Sequence, residues 1–101
     1  MKELSELVLS LLTLQDLHMS EGLLLSEFNS RLKEKFKNKP KPIYKVTSVK
    51  RGTSENNEIL ISVILVKDHT TLDVFQSLIV YNLYKEEVSV NSELIVTRGN
   101  S

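Results

Sequence analysis

Nine of the thirteen Lys and Arg residues fall within one stretch: Arg31, Lys33, Lys35, Lys37, Lys39, Lys41, Lys45, Lys50 and Arg51. Glu34 is the only acid among them, so the stretch carries +8, while residues 1–30 and 52–101 carry −4 each. A net charge of zero therefore conceals a basic band between two acidic arms. Cations spaced this closely suit anions, either the phosphates of a nucleic acid or the carboxylates of an acidic protein surface. Tyr44 and Phe36 are the aromatic residues near enough to stack on a base. A winged-helix arrangement would use a hairpin as its wing, but no third helix separates residue 37 from the strands to enter a groove. The plainer alternative is a solvated helix end and linker, charged for solubility.

Chemistry beyond charge is sparse. Gly22, Gly52 and Gly99 lie far apart, so no glycine-rich phosphate loop exists. Asp16 with His18 and Asp68 with His69 are lone neighbouring pairs, too few ligands for a metal. No serine is marked as an activated nucleophile, and Glu86-Glu87 reads as a solvated turn. The absence of cysteine excludes disulfide and thiolate chemistry. No catalytic residue, metal ligand or cofactor is assigned, and the expectation is that the protein is not an enzyme.

Two helices and a sheet must position the band. Leu4, Leu7, Leu11 and Leu14 recur at helical spacing and predict an amphipathic helix over 2–17, widened by Val8 and Leu12. That broad stripe is either core or an association face. Ser20 is positioned to cap a second helix, with Ser26 as a rival cap. Leu25, Phe28, Leu32 and Phe36 form its apolar face, and the helix must stop before Pro40. Together the helices predict an αα-hairpin over 1–37. Residues 38–42, with alternating Lys and Pro, predict a stiff basic hinge.

From Ile43 the period shifts towards two, and residues 43–98 predict a small antiparallel sheet. Ile43, Lys45, Thr47 and Val49 alternate with Tyr44, Val46, Ser48 and Lys50. Residues 51–57 read as a turn. Ile59 to Val66 is apolar at every position but Ser62, which predicts a central strand covered on both faces. Residues 77–85 are rich in β-branched and aromatic types and predict a strand. The alternative is a ββαβ C-terminal half with residues 71–84 helical, capped by Thr70 or Thr71. A turn or bulge over 86–92 and a last strand over 93–98 complete the expectation. The fold class is thus α+β, in one domain spanning 1–101.

His69-Thr70-Thr71, Ile79-Val80-Tyr81-Asn82-Leu83-Tyr84, Val88-Ser89-Val90 and Glu93-Leu94 together resemble a family of small bacterial SH3-like domains of unassigned function. The resemblance covers about a third of the chain. Val74 to Ser77 is extra, and Asn91-Ser92 stands where that family has Arg-Pro. The resemblance implies a small curved sheet and no activity.

Lys2 is the only base ahead of the first apolar run, and no small-residue cleavage site follows it, which argues against a signal peptide. No run approaches the ~18 apolar residues of a membrane span. The expectation is a cytoplasmic, non-catalytic interaction or regulatory module with no membrane partner. Its binding surface would be the nine cations above with Tyr44, and its association face Leu4, Leu7, Leu11 and Leu14. Its partner would be an acidic protein surface or a second copy of itself, as a homodimer. The alternative is a nucleic-acid-binding accessory protein that uses the same cations against phosphates.

Overall fold

The computed structural model describes residues 1–38, 44–67 and 73–96. Helix α1 spans Lys2–Leu11, and Leu4, Val8 and Leu11 on one face are buried. It ends earlier than the periodicity predicts. Leu12 is extended, and Leu14–His18 forms a separate 3₁₀ turn. Two bonds hold the break, one distant and one local: Arg31 donates to the Leu11 carbonyl at 2.9 Å, and within the turn Asp16 accepts from the Thr13 N–H at 2.7 Å. Those bonds satisfy backbone groups that a continuing helix would have paired internally.

Helix α2 spans Glu21–Phe36, and the Ser20 hydroxyl caps it by accepting from the Leu23 N–H. Leu24, Phe28 and Leu32 are its buried residues, with Leu25 and Phe36 partly buried beside them. The two helices and their short connection precede the sheet, as the α+β reading expects. They spend their apolar faces mainly on the strands rather than on each other.

Four strands follow: β1 Tyr44–Ser54, β2 Glu58–Lys67, β3 Asp73–Asn82 and β4 Glu87–Val96. They form an antiparallel meander in the order β1-β2-β3-β4. The β1–β2 turn closes through Asn57 in the left-handed region (φ 60°), a conformation asparagine tolerates. At the β3–β4 turn the Asn82 side chain accepts from the Tyr84 and Lys85 N–H groups, with Glu86 left-handed (φ 53°). Residues 73–82 are strand, so the helical alternative for 71–84 does not hold over them. The last strand begins at Glu87 and not at residue 93, because the Asn82 turn has already reversed the chain.

Thr47 is an extra residue between Val46, opposite Leu65, and Ser48, opposite Ile64. This bulge breaks the simple alternation expected of β1 and turns both Val46 and Val49 towards the helices. Ile95 is similarly extra in β4, between the partners of Phe75 and Val74.

Both helices pack on one face of the sheet. The core there joins Leu4, Val8, Leu24, Phe28 and Leu32 to Ile61, Val63, Leu65 and Ile79. Helix α2 also guards the outer edge of β1. Asn29 donates to the Val46 carbonyl at 2.9 Å and accepts from the Val46 N–H at 2.8 Å, while Glu21 accepts from the Arg51 N–H at 2.8 Å. Edge groups that would otherwise template another strand are thereby occupied. Lys39, Lys41 and most of the 38–42 hinge, together with Asp68, His69, Thr70, Thr71 and residues 97–101, lie outside the described residues.

Candidate functional site

Among the described residues, the cations that cluster in sequence do not all lie open to solvent. Arg31 points inward from α2. Its guanidinium meets both carboxylate oxygens of Asp16, at 2.6 and 3.0 Å, and the Leu11 carbonyl. Asp16 is fully buried. Burial alone would push its carboxyl up, but the Arg31 guanidinium and the Thr13 N–H hold it below the usual carboxylate value. Arg51, on β1, donates to the carbonyls of Leu17 and Met19 at the far end of the same 3₁₀ turn. The two arginines thus clamp the connection between the helices from both sides. Their expected place on an exposed binding surface is corrected: each spends its guanidinium on internal acceptors.

Tyr44 is likewise occupied. Its ring meets Phe75 edge-on at 5.7 Å, and the Lys67 ammonium lies 5.9 Å from its centre. Burial raises its hydroxyl pKa, with the Glu3 charge adding to it. Lys33, Lys35, Lys37, Lys45 and Lys50 are exposed, and Lys37 pairs with Glu34 at 2.7 Å.

The association face expected on α1 divides. Leu4 (1% exposed) and Leu11 (8%) are core, Leu7 is partly buried, and Leu14 (71%) is exposed on the 3₁₀ turn. Leu4 and Leu11 are therefore unavailable to a partner, because the stripe that carries them packs against the sheet.

The interior polar groups serve the scaffold. Ser5 of α1 donates to Ser92 of β4 at 2.9 Å, and Ser92 shares a 2.7 Å bond with fully buried Ser77 of β3. Every buried side-chain nitrogen and oxygen among the described residues has a partner. No group of three or more metal-ligating side chains occurs among them. His18 is exposed while its neighbour Asp16 is held by Arg31. Glu86 and Glu87 are exposed at the β3–β4 turn.

The surface that sequence reasoning missed lies on the opposite side of the sheet. The residues of β2 that face the helices (Ile59, Ile61, Val63 and Leu65) are buried, whereas Leu60, Ile64 and Val66 are only partly so. By register, Val80, Gln76 and Val74 of β3 continue these rows, and Leu78 stands beside Ser62. Among the described residues no helix or strand covers this face. Its polar centre is internally satisfied, because Gln76 donates to Ser62 at 2.8 Å. The signal was present in the sequence: an apolar run on both parities of β2 requires two coverings, and the helices supply one. β1 borders the face with Lys45 and Lys50, and β4 borders it with Glu93, all exposed. No helix among the described residues is long and apolar enough to cross a membrane.

No family model, curated protein or solved structure matches the chain.

Proposed function

We propose that this chain is a small non-catalytic interaction module that associates with itself through the open face of its sheet. The observation that carries the reading is the apolar surface of Leu60, Ile64, Val66, Val74, Leu78 and Val80 on the two central strands, which no described helix or strand covers. A solvated sheet face is ordinarily polar, whereas on the two central strands this one turns polar only at Ser62 and Gln76 between Val66 and Leu60. Contiguous apolar patches of that kind mark contact surfaces. Buried polar side chains among the described residues are committed to holding the fold, which favours binding over catalysis.

An acidic partner surface fits the same reading, because each copy offers Glu93 at one border of the face and lysines at the other. The nucleic-acid reading loses both arginines and Tyr44 to internal contacts.

Sedimentation of wild type and of Leu78→Lys tests the proposal. Leu78 is 37% exposed, so the substitution places a charge on the open face without opening the core. Wild type should run as a dimer at micromolar concentration, and the variant as a folded monomer of 11.5 kDa. A wild type that stays monomeric at high micromolar concentration would refute the proposal.

A further inference from the structure

We infer that two copies stack their open sheet faces about a two-fold axis running parallel to the strands, so that β1 of each copy lies over β4 of the other. The inference rests on the self-association reading and specifies its geometry.

The register defines rows across the open face. One row reads Lys45, Val66, Val74, Val96; the next Ser48, Ile64, Gln76, Glu93; the next Lys50, Ser62, Leu78, Asn91. The bordering charges are of opposite sign, with lysines on β1 and Glu93 on β4. With the strands of the two sheets aligned, two face-to-face arrangements have two-fold symmetry. An axis across the strands lays β1 over β1 and sets lysine against lysine. An axis along the strands lays β1 over β4 and sets lysine against glutamate. Like charges brought together oppose a complex and opposite charges favour it, so the second arrangement is selected.

A two-fold axis along the strands allows no slide along them, so each row meets its own row in reversed order. Ile64 then lies over Gln76 of the second copy, Leu60 over Val80, and Ser62 over Leu78. Glu93 falls level with Ser48 of the second copy, one row from Lys45 and one row from Lys50. Rows lie ~7 Å apart along a strand and stacked sheets ~10 Å apart, distances that both lysine side chains can span. The ~30° angle of aligned sheets shifts these levels by only a fraction of a row.

The area is sufficient. Four strands of about ten residues present a face of about 33 by 19 Å. Stacking two such faces removes about 1,200 Å² from water, the lower end of specific interfaces. The bonded Gln76–Ser62 pair enters the interface already satisfied, which limits the cost of drying it.

Charge reversal at each border tests the geometry. Glu93→Lys alone, and Lys45→Glu with Lys50→Glu, should each weaken the dimer by about 10- to 100-fold in Kd, because each reversal acts at two symmetric borders. Combining all three substitutions in one chain should restore wild-type affinity, and mixing the two weakened variants should give a heterodimer. The three residues are exposed, so thermal melts of the dilute monomer should be unchanged. Single-border variants that dimerise as tightly as wild type would overturn the axis while leaving self-association intact. Failure of the combined variant to recover would overturn the pairing of β1 with β4. A monomeric wild type would overturn the self-association reading itself.

Discussion

Replacing Arg31 with alanine removes the partner of a fully buried carboxylate. The Asp16 side chain would keep the Thr13 N–H but lose two charge-assisted bonds, of 2.6 and 3.0 Å, and the Leu11 carbonyl would lose its donor. Breaking a buried pair by deleting one member costs about 3–5 kcal/mol. Arg31 keeps about a quarter of its side-chain surface exposed, which moves the expectation to the lower end, about 3 kcal/mol. For a domain of about 100 residues this lowers Tm by roughly 12–24 °C. Urea unfolding followed by circular dichroism reads the loss directly. Lys33→Ala, on the exposed side of the same helix, should change stability by less than about 0.5 kcal/mol. The pair also carries a pH signature. The folded state holds the Asp16 carboxyl below its ordinary value, so the stabilisation is present above the unfolded-state value near 3.8 and is lost as pH falls through the lower folded one. Asp16→Asn should remove that acid sensitivity at the cost of lower stability near neutrality. An Arg31→Ala variant within 1 kcal/mol of wild type, with an unchanged acid limb, would refute the clamp and return Arg31 to the basic surface.

Other perturbations follow from the same geometry. Leu4→Ala opens a cavity beneath the sheet and should cost about 2–5 kcal/mol by urea unfolding, whereas Leu14→Ala on the exposed turn should cost almost nothing. Asn29→Ala frees both backbone groups of Val46 and should cost about 1–3 kcal/mol, with light scattering showing added aggregation as the β1 edge becomes available. With Arg31 and Arg51 held internally, labelled single- and double-stranded DNA and RNA should bind only weakly at low salt. Binding that survives physiological salt and falls with Lys33→Gln and Lys35→Gln would favour the nucleic-acid reading.

Local signals were legible and non-local ones were not. The Ser20 cap, the apolar face of α2 and the strand character of residues 77–82 follow from short-range pattern, and the fold follows them. The end of α1 at Leu11 is held partly by Arg31, twenty residues away, and partly by the local Thr13–Asp16 box, which the apolar periodicity of residues 2–17 overshadows. Asp16 looks like a solvated helix position until the 3₁₀ turn brings it under Arg31. The basic band is a feature of sequence order. Folding turns Arg31 and Arg51 inward and leaves Lys33 and Lys35 on a helix, with Lys45 and Lys50 on an edge strand. The two-sided apolar run of β2 was legible as a strand needing cover on both faces. Which residues of β1 join the covered face depends on the bulge at Thr47, which the alternation pattern does not specify.

Isotope-filtered NOE spectra of a mixed sample, one copy ¹³C-labelled and the other unlabelled, would read the stacked sheet faces themselves. Intermolecular contacts are expected from the methyl groups of Leu60, Ile64 and Leu78, with those of Leu60 reaching Val80 of the second copy. Intermolecular contacts confined to Leu9 and Leu14 on the helical side, or none at concentrations where dimer is expected, would contradict the stacking.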